Sequence, residues 1–140
     1  MKIKVAATQM RCDWEIENNL KKSINLIEKA AEQGANIILL QELFQTPYFC
    51  IQYDEEIFKL AQTFENNSLI NKMSEVAKKH KVVLPISFFE KDNNAYFNSI
   101  AVIDADGKVL GKYRKSHIPD GAGYLEKYYF NPGDTGFKVW

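Results

Sequence analysis

Apolar and polar positions follow two rhythms along this chain, and the rhythm changes near its middle. Over residues 2–9, Ile3, Val5, Ala6 and Ala7 make a short apolar run with no helix cap, which predicts a buried strand. Over 15–33 the apolar positions are Ile16, Leu20, Ile24, Ile27 and Ala31, the spacing of one helix face. Asp13 is a candidate cap before that helix, and Gly34 stands where a C′ glycine belongs. Residues 35–40 read as a second buried strand, ended by Gln41 and Glu42. Strand, helix and strand with short joints form a βαβ unit, so the two strands are expected to be parallel.

An aromatic loop over 44–53 follows, then a short helix over 54–62. A further helix is predicted over 68–79, with Ser68 as N-cap and Leu69, Ile70, Met73, Val76 and Ala77 on one side. The rhythm then shortens. Strands are predicted over 81–89, 96–103 and 108–113, with turns at Asp92-Asn93-Asn94 and at 104–107. Pro85 is an oddity inside the first of them. Parallel α/β logic thus gives way to an antiparallel meander, and the fold class is α/β. There is no internal repeat and no linker, so one compact domain is expected from 140 residues.

Composition narrows the functional classes. A hydrophobic share of 46% and a charged share of 26% are ordinary for a chain with a packed core. Formal net charge is zero, which argues against a domain built to grip a nucleic acid backbone. No apolar run approaches the length of a membrane span, and the N-terminus lacks a signal peptide's long apolar stretch. The expected location is therefore cytoplasmic. Cys12 and Cys50 show no ligand spacing, so reduced thiols are expected rather than a disulfide or a metal cluster. Nothing calls for a cofactor.

Candidate chemistry gathers at strand ends. Residues 112–119 leave a strand and enter a long loop rich in Gly and Tyr, a place where α/β enzymes carry function. Lys115 there can offer a fixed positive charge to a developing oxyanion. Lys112, Arg114 and Lys115 also fit a solvated cluster on an edge strand. Glu42 ends a predicted parallel strand, where open α/β sheets bind ligands, and a half-buried carboxylate suits a general base. Glu126 lies in the loop behind Lys115, and two carboxylates sharing a cleft need the lysine between them. His117 reads as a hydrogen-bonded loop residue and His80 as a favourable charge at a helix C-terminus. Tyr124, Tyr128, Tyr129 and Phe130 fit either a pocket wall or core.

The motifs Gln41-Glu42-Leu43-Phe44, Tyr113-Arg114-Lys115-Ser116-His117-Ile118-Pro119 and Asn131-Pro132-Gly133-Asp134 together resemble the carbon–nitrogen hydrolases, the nitrilase superfamily. The run over 119–137 looks most like the N-carbamoylputrescine amidase branch. The resemblance extends over the whole chain. It implies a four-layer α-β-β-α sandwich and catalysis by a glutamate, a lysine and a cysteine. It implies that Glu42 is the general base, Lys115 the oxyanion-stabilising lysine and Glu126 a second glutamate that helps position substrate. Tyr48 and Tyr124 match substrate-pocket positions. The implied substrate is a small amide or ureido compound, N-carbamoylputrescine first, placing the enzyme in polyamine synthesis. The implied assembly is a homo-oligomer.

The resemblance also locates a departure. The family's nucleophilic cysteine lies on the strand after one that starts near Phe137, and this sequence ends at Trp140. Neither Cys12 nor Cys50 matches it by motif. Residues 1–140 therefore read as the N-terminal half of a hydrolase domain, C-terminally incomplete and inactive alone. A competing expectation is a metal-dependent phosphodiesterase of the endonuclease/exonuclease/phosphatase type, which also places a Gln-Glu pair after an apolar strand. A third is a non-catalytic, truncated binding module.

Overall fold

The computed structural model of the protein describes residues 2–140. It contains a parallel pair of short strands, β1 (Val5–Ala7) and β2 (Ile37–Leu39), bridged by helix α1 (Ile16–Glu32). After helix α2 (Ser68–His80) come β3 (Leu84–Asp92), β4 (Ala95–Ile103) and β5 (Val109–Arg114), an antiparallel meander in that order. The two sheets touch at one parallel bridge, Ile37 with Val83, where Ile38 N–H donates to the Val83 carbonyl at 3.0 Å. Pro85 sits just past that bridge, opposite Val102, where β3 has left β2 and has only one ladder to keep.

Both helices pack on one face of the strands. Leu84, Ile86 and Phe88 of β3, with Ala101 and Ile103 of β4, meet Ile27 of α1 and Leu69, Met73 and Ala77 of α2 in one core. Period-two alternation sends Ser87, Phe89, Asn98 and Ile100 to the opposite face. A second core lies beside the first. There Phe49, Cys50, Ile57, Phe89, Tyr129 and Phe130 pack together, with the Phe49 and Tyr129 rings edge to face and their centres 5.1 Å apart.

Several expectations need correcting. The first strand is not buried: Val5 is 70% exposed, because only its inner neighbour Ala6 turns toward the helices. Asp13 does not cap α1. Glu15 takes the N-cap place without a side-chain bond, while the Asp13 carboxylate accepts from Glu15 N–H. In α2 the cap is Asn67, whose side chain accepts from Ile70 N–H at 3.1 Å, and Ser68 is the first helical residue. The expected helix over 54–62 is a 3₁₀ turn, Glu55–Leu60, capped by Asp54. No strand forms near Phe137. That ring stacks on Tyr113 and is otherwise 83% exposed.

Arg114 and Lys112 are not solvated. Arg114 is 5% exposed and donates to Glu90, Asp92 and Asp134 while lying 3.8 Å over the Phe97 ring. Lys112 pairs with the same Glu90, as does the Ser99 hydroxyl. A buried guanidinium requires such partners, and they come from two separate segments, β3 and the stretch around Asp134. Gly133 seals the arrangement. A Cβ there would stand 2.1 Å from the Arg114 carbonyl oxygen, so only glycine lets the segment close.

Candidate active site

Strand ends bring three charged side chains together. The β2 strand ends at Leu39, and Glu42 follows three residues later in a tight turn. Leu43 keeps that turn with φ at 51°, an uncommon conformation for a side chain of its size. Ser87 on β3 holds it there, its hydroxyl accepting from Leu43 N–H at 2.9 Å. Lys115 leaves the end of β5, still tied to the sheet by a 2.8 Å bond from its N–H to the Asn98 carbonyl. Glu126 opens the short helix α3 (Glu126–Tyr129), which the second core anchors through buried Tyr129. The Tyr129 hydroxyl donates to the Gln52 carbonyl and accepts from Asp54 N–H.

The Lys115 ammonium sits between the two carboxylates. It donates to Glu42 Oε1 at 3.0 Å and to Glu126 Oε2 at 2.8 Å. Burial works against the lysine's charge, but Glu126 and Glu42 outweigh it and lift its pKa above the usual lysine range. It therefore remains a cation at neutral pH. Glu126 is almost wholly buried and also accepts from the Tyr48 hydroxyl at 2.7 Å. Burial, then that bond, pushes the Tyr48 phenol well above its ordinary range, so it stays protonated and donating. Glu42 is more open, its side chain 46% exposed, and it takes a second bond from Asn98 Nδ2 at 2.5 Å. Glu42, Lys115 and Asn98 border a cleft of about 280 Å3, walled by Leu39, Ser87, Ile100 and Tyr113.

Of the five residues singled out in the sequence, Glu42, Lys115, Glu126 and Tyr48 form one hydrogen-bonded chain. Tyr124 does not join it. Its half-exposed ring packs over Gly121. His117 is exposed, and His80 ends α2 with its Nε2 3.3 Å from Glu28. Asn98 and Ser87 carry no sequence signal, because a polar residue inside a strand has no motif of its own. Only period-two alternation, which puts both opposite the helix-packed face, could mark them.

The cysteines lie unequally. Cys50 is fully buried, and burial followed by the charge of Glu126 pushes its thiol up to about 12. Cys12 is partly exposed and bonded to the Phe44 carbonyl, and burial raises its pKa as well. A nucleophilic cysteine needs the opposite treatment, a pKa brought down. Among the described residues no group of His, Cys, Asp and Glu is arranged to hold a metal, and no helix is long and apolar enough to cross a membrane.

Comparison with known proteins gives this geometry its context. The chain is 54% identical over 138 residues to the N-carbamoylputrescine amidase of Solanum lycopersicum, covering 99% of this chain and 46% of the relative. It is 50% identical over 138 residues to the citrullinase of Francisella tularensis, covering 99% of this chain and 48% of that protein. The crystal structure of a carbon–nitrogen hydrolase from Helicobacter pylori superposes with a TM-score of 0.88 at 38% identity, over 96% of this chain and 46% of the other. The α/β fold is thus that of the nitrilase superfamily, and the chain spans about half the length of the curated relatives it matches. The model of the carbon–nitrogen hydrolase family matches residues 4–140, and the chain belongs to that family.

Proposed function

We propose that the protein carrying this chain is an amidase that hydrolyses a non-peptide C–N bond in a small ureido compound, with N-carbamoylputrescine the first choice. The observation that carries the reading is the Lys115 ammonium held between Glu42 and Glu126 at converging strand ends. The amidase and citrullinase relatives support the ureido group, since both names denote proteins acting on one. A metal-dependent phosphodiesterase would belong to a different family from the one this chain matches.

In this reading Glu42 is the general base, open enough to reach a reacting group. It takes the proton of a thiol as the sulfur attacks the ureido carbon. Lys115 stabilises the negative charge that develops on the carbonyl oxygen. Glu42 then returns the proton to the leaving nitrogen, and ammonia departs. A water activated by the same carboxylate hydrolyses the resulting thiocarbamate and frees the thiol. The carbamate so released loses CO2 and leaves the amine. Glu126, fixed by Lys115 and Tyr48, positions the substrate, and Tyr48 and Tyr124 line its approach. The attacking thiolate comes from beyond these 140 residues, because Cys50 is buried with a raised pKa and Cys12 is tied to the Phe44 carbonyl. We take residues 1–140 as the N-terminal part of a hydrolase domain, working in the cytoplasm in polyamine synthesis and as a homo-oligomer.

Ammonia release from N-carbamoylputrescine, citrulline and butylurea by the full-length protein tests the substrate. All three share the ureido group and differ at the distal end. Preference of at least about tenfold in kcat/KM for the compound with a bare distal amine is expected, the scale of one hydrogen bond to a charged group. Equal turnover of N-carbamoylputrescine and butylurea would remove the polyamine assignment. Preference for citrulline would move it to the ureido amino acid.

A further inference from the structure

We infer that Asn98 is a positioning residue that holds the base and the lysine of this site in register; the inference rests on the amidase reading of the cleft. Asn98 lies on β4, is 5% exposed, and acts on both partners at once. Its side-chain Nδ2 donates to Glu42 Oε1 at 2.5 Å, the same oxygen that Lys115 Nζ reaches at 3.0 Å. Its backbone carbonyl accepts Lys115 N–H at 2.8 Å, fixing the height at which the lysine leaves β5.

Glu42 needs such a hold. Its side chain is 46% exposed, so packing does not select its rotamer, and a free glutamate side chain samples many. Two donors converging on one oxygen select a single rotamer and leave Oε2 outside both bonds, available to take a proton. Lys115 alone cannot do this. It is itself shared with Glu126, which binds it through both carboxylate oxygens. The Asn98 amide cannot change its protonation state, so it orients Glu42 without competing for the proton that the base must carry.

The test uses the full-length protein with Asn98→Leu and Asn98→Asp. Leucine keeps the volume and removes the donor. Aspartate keeps the shape and replaces the donor with an acceptor. Misplacing a reacting group by about 1 Å can cost on the order of a hundredfold, so kcat should fall about tenfold to a hundredfold in both variants. KM should stay within about threefold, because Glu126 and Tyr48 keep the substrate-side contacts. A residue that merely supports the fold would instead lower the melting temperature and the fraction of active protein, leaving kcat per folded molecule unchanged. That result, or full activity in Asn98→Asp, would overturn the inference. A crystal structure of the better-folded variant reads the positioning apart from activity. Glu42 should leave Lys115 or occupy several rotamers. Persistence of the 3.0 Å contact in a single rotamer would sink the inference even if the amidase reading stands. Should the unaltered protein release no ammonia from any ureido compound, the amidase reading fails, and the crystal structure still decides the positioning.

Discussion

At the scale of single residues, what separates the charged groups of this chain is how each is paired. Lys115 keeps its charge because two carboxylates outweigh its burial. Cys50 is denied a charge because burial and a nearby carboxylate act in the same direction. The thiolate is the reactive form, so the two cysteines should differ sharply in chemistry. Under native conditions at neutral pH, iodoacetamide should label partly exposed Cys12 at least about tenfold faster than buried Cys50. Peptide mass mapping after timed labelling reads this directly. Faster labelling of Cys50 would mean that the pocket around Tyr48 and Glu126 opens readily. Glu42 and Lys115 are legible in the sequence, since both end strand-like runs and both lie in specific motifs. Asn98 is not, because its meaning depends on Glu42, which lies fifty-six positions away along the chain.

At the scale of elements, β3, β4 and β5 are fastened together by charge as well as by their ladders. Burial alone would raise the pKa of Glu90. The bonds from Arg114, Lys112 and Ser99 outweigh it and hold the carboxyl below the usual range. The folded-state pKa is depressed, so the stabilisation is fully present above the ordinary carboxylate value of about 4.5 and is lost as pH falls below it. Removing one partner of a buried pair costs roughly 3–5 kcal/mol, and Glu90→Gln should cost about that much at neutral pH. Denaturant melts repeated toward lower pH should show the gap between the two proteins closing below about pH 4.5, as the native carboxyl itself becomes neutral. A gap independent of pH would assign the loss to packing instead. In the sequence Arg114 is only part of a basic run. Its burial follows from Glu90, Asp92 and Asp134 meeting in space, which no local pattern announces. Periodicity is a better guide to the helices: α1 falls within one residue of expectation at each end, because its apolar spacing and Gly34 agree.

At the scale of the whole molecule, α1 and α2 cover one face of the strands, and the second core covers only part of the other, around Phe89. Leu39, Ile100 and Tyr113 wall the cleft on the part left open, and Phe137 stacks against Tyr113. An apolar face of this kind favours association. Sedimentation of the 140-residue chain at micromolar concentration should therefore show dimers or larger species. Leu39→Asp should shift the distribution toward monomer without lowering the melting temperature, because Leu39 is 45% exposed and contributes little to the core. A monomeric unaltered chain would contradict this. The overall α/β plan is legible from the change of rhythm along the sequence. The exposure of β1 is not, because an apolar run does not say which of its two faces a neighbour covers.

In the proposed amidase, Lys115, held between Glu42 and Glu126, is the electrostatic centre of the site. The most direct measurement is the steady-state release of ammonia from N-carbamoylputrescine by the full-length protein, compared with its Lys115→Met variant. Removing one oxyanion-stabilising donor costs about a hundredfold to a thousandfold in kcat, and at least that loss is expected here in protein that remains folded. A Lys115→Met variant that folds and keeps kcat within about threefold of the unaltered protein would contradict the account, since a donor to the transition state cannot be removed at so small a cost.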